Sequence, residues 1–197
     1  EENRWGNNES VSGPGSAAIQ TKNVIEKMPI LLRELNVASM LDIPCGDFNW
    51  LKDVKLEDIN YIGADIVDKI VTKNKNNFQR NEISFQKLNL LSDELPKVDL
   101  IFCRDCLVHF SFDDIQNALQ NICRSGSTYL LTTTFTECQN NDDILTGQWR
   151  AINLAISPFN LPKPISVINE GCIEGDGKYA DKSLGLWRID EIKEILK

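Results

Sequence analysis

The sequence has few histidines, no long apolar run and no excess of positive charge. Only one histidine, His109, occurs in the 197 residues. No uninterrupted apolar stretch approaches the roughly 20 residues that a transmembrane helix requires, so we expect no membrane span. The formal net charge is −8, and Lys and Arg do not cluster with interleaved aromatics. Nucleic acid is therefore a poor candidate for the substrate or partner.

The cysteines do not follow the pattern of a metal site or of a disulfide framework. Cys103 and Cys106 have the spacing of a zinc knuckle, but no second cysteine pair accompanies them. Several of the six cysteines lie in apolar, strand-like runs, where a reduced thiol packs as a small hydrophobic group. We therefore predict buried, reduced cysteines, no metal site and a reducing, cytoplasmic compartment.

Strand-like and helix-like segments alternate along the chain. The helix-like segments are 16–36, 68–76, 112–123 and 190–196. Pro29 predicts a kink or a break in the first of them. The strand-like runs are 39–43, 60–66, 83–88, 98–103, 128–134, 165–169 and 184–189. This alternation predicts an α/β fold with a mostly parallel, seven-stranded sheet that has helices on both faces.

Acidic residues follow the first two predicted strands. In an open parallel sheet, ligands bind beyond the carboxyl ends of the strands. The first strand runs through Asp42 into Pro44-Cys45-Gly46, where the glycine lets the backbone approach a ligand closely. Asp65 lies at the end of the second strand. Its separation from Asp42 is close to the roughly 20 residues expected of a nucleoside-binding βαβ unit. Its carboxylate would accept hydrogen bonds from the hydroxyls of a ribose.

Four segments in order resemble the motifs of the class I methyltransferases. They are LDIPCGDFNWL (41–51), YIGADI (61–66), FQKLNLLSDELP (85–96) and VDLIFCRDCLVHFS (98–111). The chain departs from the first motif at Pro44 and Phe48, where the family often has turn glycines. The resemblance implies a Rossmann-like fold and S-adenosyl-L-methionine as the cofactor.

The resemblance also implies which residues would hold that cofactor. Asp42, Cys45 and Gly46 would contact its methionine part, Asp65 the ribose, and Ile66 the adenine ring. The remaining candidates are Pro44, Asn89, Leu90, Arg104, Trp5 and Ser16. Residues 13–16 would either fold over the cofactor as a lid or form a plain loop.

A narrower resemblance covers most of the chain. It is carried by RWGNNESVSGPGS (4–16), GQWRAINL (147–154), NEGC (169–172) and DKSLGLW (181–187). These segments are similar to a group of bacterial and viral methyltransferases associated with surface or capsid glycan synthesis, some of them fused to glycosyltransferases. The resemblance implies a sugar hydroxyl as acceptor, for example on a deoxyhexose such as rhamnose, and a glycosyltransferase as a candidate partner.

These similarities imply an organisation as one methyltransferase domain over residues 1–197. Residues 1–38 would form an N-terminal lid and helix, 39–134 the cofactor-binding core, and 135–197 the acceptor-side loops and closing strands. Because the chain begins with Glu1 and not with methionine, we expect it to be a domain of a longer protein.

Methylation of a sugar hydroxyl requires a general base, because the hydroxyl is a weak acid. His109 is the candidate, since histidine is the residue type that exchanges protons near neutral pH. Asp105 would share a helical face with His109 and orient its ring. Arg104, at the end of the fourth strand, is the third catalytic candidate. The structural alternatives are packing for His109, a helix cap for Asp105 and an ion pair for Arg104.

The acceptor site is expected to have aromatic walls, because aromatic faces suit the C–H faces of sugars. Trp5, Trp149 and Trp187 are the candidates, with buried packing as the alternative. Glu137, Arg150 and Glu170 would line the same cleft. Other acceptors, a small molecule or a protein carboxylate, stay open. So do an NAD-dependent oxidoreductase and a non-catalytic nucleoside-binding module of a glycosyltransferase. The missing Gly-x-Gly-x-x-Gly turn at 44–49 argues against the oxidoreductase.

Overall fold

Seven strands form one sheet in the order β3-β2-β1-β4-β5-β7-β6. The computed structural model describes residues 10, 12–56 and 58–197. The strands are β1 (Ser39–Asp42), β2 (Asn60–Asp65), β3 (Ile83–Lys87), β4 (Leu100–Cys103), β5 (Tyr129–Phe135), β6 (Ser166–Asn169) and β7 (Lys182–Arg188). The helices are α1 (Ala18–Glu34), α2 (Asp68–Phe78), α3 (Phe112–Arg124) and α4 (Ile189–Ile195).

The sheet confirms the predicted fold class. The first five strands pair in parallel, and β7 runs antiparallel to both β5 and β6. The order of the strands reverses at β1, which lies between β2 and β4. The carboxyl ends of β1, β2 and β4 therefore meet at the switch point where open α/β sheets bind their ligands.

Both faces of the sheet are covered, as parallel strands with few polar residues require. On one face, α1 and α2 contribute Val24, Met28 and Val71 to an apolar cluster. On the other face, α3 and α4 contribute Leu119 and Ile192 to a second cluster. Pro29 lies inside α1 without splitting the helix in two.

The segment after β5 is irregular, as its composition predicts, and it is pinned to the core by one arginine. Arg150 is 8% exposed and donates hydrogen bonds to the carbonyls of Leu107, Phe110 and Asp142. The prediction that Arg150 lines the acceptor cleft is therefore wrong. Its guanidinium is used to fasten this segment over the 3-10 helix Leu107–His109.

The structure also bears on the predictions of reduced cysteines and of no membrane-spanning helix. All six cysteines are free thiols, and four of them are buried. None of the helices within the described part of the chain has the length and apolar character needed to cross a bilayer.

Replacing Arg150 by methionine leaves three buried or half-buried carbonyls without their charged donor. We expect Arg150→Met to lower the free energy of unfolding by about 2–4 kcal/mol, measured by urea denaturation. The matched control is Arg33→Met, which removes an exposed arginine from the end of α1. Equal losses in the two variants would show that the carbonyls do not depend on Arg150.

Candidate active site

The turn after β1 is held across the ends of β1 and β2 by the side chains around it. The Gly46 N–H donates to the Asp65 carboxylate at 3.2 Å, and the Gly46 carbonyl accepts from Asn74 Nδ2 at 2.8 Å. Gly46 has a φ of 53°, and a β-carbon there would collide with Ser12 Oγ. Glycine is required at this position for both reasons.

Asp65 and Ile66 lie beside this turn as the sequence predicts. The second carboxylate oxygen of Asp65 accepts from the Val67 N–H at 2.9 Å. Burial raises the pKa of Asp65, while hydrogen bonds from Val67 and Gly46 act in the opposite direction. The apolar side chain of Ile66 is 57% exposed. A carboxylate next to an exposed apolar side chain is a suitable arrangement for a ribose and its base.

Asp42 lies beneath the turn and not on its surface. It is 3% exposed, and its carboxyl accepts a hydrogen bond of 2.6 Å from the Tyr61 hydroxyl. Burial raises the pKa of Asp42 to about 7, although the Tyr61 hydrogen bond opposes the shift. A direct contact between Asp42 and a cofactor stays a prediction.

The other cofactor candidates occupy mixed positions. Asn89 Oδ1 caps the Leu91 N–H at 2.9 Å. Leu90 is 5% exposed and packs in the core, and its carbonyl accepts a hydrogen bond from Asn121 Nδ2 at 2.8 Å, so its contact with a cofactor stays a prediction. Cys45 and Pro44 are half-buried in the turn. Trp5 lies outside the described residues.

Residues 10 and 12–16, here called the N-terminal segment, lie against the turn. Ser10 Oγ and Ser12 Oγ both donate to the Asp47 carboxylate, at 2.9–3.2 Å, and the Asp47 N–H donates back to Ser12 Oγ. Ser16 follows, half-buried, at the end of the 3-10 helix Pro14–Ser16. The segment therefore has the position of a lid over the turn.

Arg104 and Glu170 form a buried ion pair. The guanidinium contacts Glu170 Oε2 at 2.7 Å and donates to the Gly15 carbonyl at 2.8 Å. Arg104 is 7% and Glu170 2% exposed. The ion-pair interpretation of Arg104 is therefore confirmed, and the prediction that Glu170 lines an open cleft is wrong. The pair fastens the N-terminal segment and the end of β6 to the end of β4.

A cavity of about 330 Å³ opens next to the turn. Residues 12–15 of the N-terminal segment form one wall, and the other walls include Asp105, His109, Trp149 and Tyr179. The structure thus brings the candidate base, its acidic neighbour and one candidate tryptophan to one open cavity. This space shares the N-terminal segment with the cofactor turn.

His109 stands in this cavity at the end of the 3-10 helix that follows β4. Its Nδ1 lies 2.9 Å from the Gln148 carbonyl oxygen. The predicted helix beginning near Asp105 is wrong: Asp105 has a φ of 52°, which no right-handed helix accommodates. The helical relation between Asp105 and His109 is lost with it.

Asp105 is held by two cations instead. Lys182 Nζ lies 2.8 Å and Arg104 Nη1 3.3 Å from its Oδ2. Burial alone would raise the pKa of Asp105, but Arg104 and Lys182 outweigh it and lower the pKa to about 2. Asp105 is therefore a permanent anion at neutral pH, suited to accept hydrogen bonds and unsuited to take up a proton.

The two candidate tryptophans within the described residues differ. Trp149 is 42% exposed and makes edge contacts with Tyr179 and Phe135, at ring-centroid distances of 4.9 and 6.1 Å. Trp187 is 1% exposed, and its Nε1 donates to the Pro162 carbonyl at 2.7 Å. The acceptor-wall prediction for Trp187 is therefore wrong, because its ring lies in the core. Glu137 has an exposed side chain on the loop after β5, and its role stays a prediction.

Sequence reasoning missed Lys182, Tyr179 and Phe135, all of which line the cavity. A signal for Lys182 was present, because a lysine opens the otherwise apolar run KSLGLW. No local pattern marks the two aromatic residues. Their rings meet only because β5 and the segment before β7 are neighbours in the sheet.

Comparisons with known proteins give a family match for part of the chain and a shared fold. Residues 40–126 match the family described as a methyltransferase domain. That stretch contains β1 to β4 and α3, and therefore the turn, Asp65 and His109. No curated protein matches the chain in sequence.

Solved structures share the fold at low sequence identity. Human N-acetylserotonin methyltransferase in complex with SAM has a TM-score of 0.63 and 14% identity, over 87% of this chain and 52% of that one. The methyltransferase domain of bacterial CtHen1 has a TM-score of 0.51 and 14% identity, over 58% and 66%. Magnesium protoporphyrin IX methyltransferase from Synechocystis has 0.50 and 14%, over 61% and 58%. The chain thus matches about half to two thirds of the length of these proteins.

The chain therefore has the fold of the class I methyltransferases, and residues 40–126 match the methyltransferase domain family. The methyl donor of this class is S-adenosylmethionine.

The buried carboxyl of Asp42 makes stability depend on pH. Its pKa of about 7 in the folded protein exceeds the ordinary value of 3.8, so the folded state keeps a proton there that the unfolded chain releases. We expect the free energy of unfolding to fall by about 2–3 kcal/mol between about pH 5 and about pH 8 from this group alone. Asp42→Asn still accepts a hydrogen bond from Tyr61. It should remove this contribution to the dependence of the free energy of unfolding on pH.

The measurement is urea denaturation of both proteins across this pH range. Contributions from Asp65 are common to both proteins, so the difference between the curves isolates Asp42. Parallel curves would contradict the raised pKa.

Proposed function

We propose that this protein transfers a methyl group from S-adenosylmethionine to a sugar hydroxyl of a glycan. The observation that carries the proposal is the cavity in which His109 stands beside Trp149 and Tyr179, adjacent to the turn after β1. A proton acceptor and an aromatic wall in one cavity are what methylation of a weakly acidic sugar hydroxyl requires.

The residues around the turn fit the cofactor. Asp65 offers carboxylate oxygens to the ribose hydroxyls, and the exposed Ile66 side chain offers an apolar surface to the adenine. Gly46 and Cys45 place backbone next to the methionine part. When bound, the cofactor supplies an activated methyl group on a sulfonium.

His109 is the group that would take the proton from the acceptor hydroxyl. A carbonyl oxygen only accepts hydrogen bonds, so the contact with Gln148 places the proton of the neutral ring on Nδ1. The lone pair of the ring is then on Nε2. The Gln148 carbonyl would also stabilise the protonated ring that forms, which is the part that sequence analysis assigned to Asp105.

The aromatic wall supports a sugar over a charged acceptor. The rings of Trp149, Tyr179 and Phe135 pack edge to face, and Trp149 leaves part of its surface exposed. Such a surface binds C–H groups without requiring a counter-charge. The proposal includes a cytoplasmic location, supported by the free cysteines. It also includes a glycosyltransferase as partner, supported by the resemblance of the sequence to glycan methyltransferases.

A methyl-transfer screen tests the acceptor class. The protein is incubated with S-adenosylmethionine and panels of neutral glycosides, including rhamnosides, of glycan fragments, of small-molecule phenols and of acidic peptides, and products are read by mass spectrometry. We expect an added methyl group on a sugar oxygen. Methylation only of a peptide carboxylate or a small molecule would replace the sugar, and cofactor binding without any transfer would favour a non-catalytic module. Calorimetry with S-adenosylmethionine and with NAD tests the oxidoreductase alternative.

Removal of the imidazole tests the base. We expect His109→Ala to lower kcat for the sugar acceptor by roughly 10²- to 10⁴-fold, because the hydroxyl loses its proton acceptor. The affinity for S-adenosylmethionine, measured by calorimetry, should stay within about two-fold, since His109 lines the cavity and not the turn. Full turnover in this variant would remove His109 from the mechanism.

A further inference from the structure

Lys182 is a buried cation at the wall of the acceptor cavity. It is 5% exposed, it begins β7 opposite Phe135, and its Nζ lies 2.8 Å from Asp105 Oδ2. Burying an ammonium group is costly, and an apolar side chain of similar size would pack in its place without that cost. The position therefore requires an explanation beyond packing.

Glu170 does not depend on Lys182 for the neutralisation of its charge. Arg104 contacts Glu170 Oε2 at 2.7 Å, whereas Lys182 lies 3.7 Å from the same atom. Lys182 is thus chiefly the partner of Asp105, whose side chain is 27% exposed and lines the cavity. A lysine has three N–H donors and a carboxylate about four acceptor sites. Their mutual contact leaves both groups with hydrogen-bonding capacity at the cavity wall.

We propose that Lys182 and Asp105 together bind two neighbouring hydroxyl groups of a neutral sugar and so orient the hydroxyl that His109 deprotonates. This inference rests on the proposed sugar methylation. Lys182 donates to one hydroxyl oxygen, and Asp105 accepts from the next hydroxyl. Adjacent hydroxyls on a sugar ring offer one acceptor and one donor at the spacing of a contacting ion pair.

The low pKa of Asp105 supports separate roles for Asp105 and His109. Because Asp105 stays ionised with a pKa of about 2, it accepts a hydrogen bond from the sugar at any working pH without removing the proton. Proton removal is left to His109, which shares the cavity. The backbone of Asp105 is also held in place, because its N–H donates a hydrogen bond to Thr133 Oγ1 at 2.8 Å.

The charge of the cavity indicates a neutral acceptor. Among the described residues that line it, Lys182 is the only lysine or arginine, whereas Asp105 and Glu174 both carry carboxylates. A sugar with its own carboxylate or phosphate would meet these two anions and a cation that is already paired. Such acceptors are disfavoured by like-charge repulsion.

Monodeoxy analogues of the best neutral acceptor from the sugar screen test the proposal. We expect the wild-type protein to prefer the parent sugar over the analogue lacking the bound hydroxyl by about 10- to 100-fold in kcat/KM. In Lys182→Met this preference should fall to about 1- to 3-fold, mainly through a higher KM for the parent sugar. Lys193→Met, which removes an exposed lysine from α4, should keep the wild-type preference. The corresponding uronic acid should be at least about 10-fold poorer than the neutral sugar.

Asp105→Gly provides a second variant if Lys182→Met does not fold. Glycine tolerates the positive φ of this position and has no side chain that could accept a hydrogen bond from the sugar. This variant should lose the preference for the parent sugar over the analogue that lacks the adjacent hydroxyl. Its affinity for S-adenosylmethionine should stay unchanged. If sugar methylation persists and neither variant alters the preferences, the ion pair does not bind the acceptor, and the proposed function stands. If the wild-type protein methylates no sugar, the proposed function and this inference both fail.

Discussion

The arrangement of the site depends on four charged side chains that meet at the carboxyl end of the sheet. Arg104 and Asp105 follow β4, Glu170 follows β6, and Lys182 begins β7. Arg104 bonds Glu170 and Asp105, and Lys182 bonds Asp105. Two cations and two anions balance one another. Removing Arg104 would leave the buried carboxylate of Glu170 without its closest cation, at a cost of several kcal/mol. This network fixes the wall of the cavity that contains His109 to the central strands.

The N-terminal segment connects the two halves of the site. Its serines at positions 10 and 12 bind Asp47 in the turn after β1, and its Gly15 carbonyl accepts from Arg104. Residues 12–15 also form a wall of the cavity. One short stretch of backbone therefore contacts both the turn that would hold the cofactor and the space that would hold the acceptor. A change in the position of this stretch would alter both.

The turn after β1 shows how a departure from the family motif is accommodated. Phe48 occupies a position where a glycine is common, and its ring packs beneath the turn against Tyr61 and Phe85, with centroid distances of 5.1 and 5.3 Å. The polar backbone groups of Gly46 are bonded by Asp65 from β2 and by Asn74 from α2. Side chains from neighbouring elements thus supply the rigidity of the turn, and only Gly46 itself has to be a glycine.

The strands and the positions of Asp65 and Gly46 at strand ends were predictable from the sequence, because each depends on a pattern within a few residues. The alternation of strands and helices predicted the parallel sheet, and the resemblance to the family motifs added Ile66. The roles of Arg150, Trp187 and Glu170 were not predictable, since a polar or aromatic residue next to a motif suits a cleft and a buried contact equally well. Only the tertiary structure decided between them, by placing three carbonyls around Arg150. The pairing of Lys182 with Asp105 joins residues 77 positions apart. It exists because β7 inserts antiparallel beside β5, and no local sequence pattern encodes that insertion.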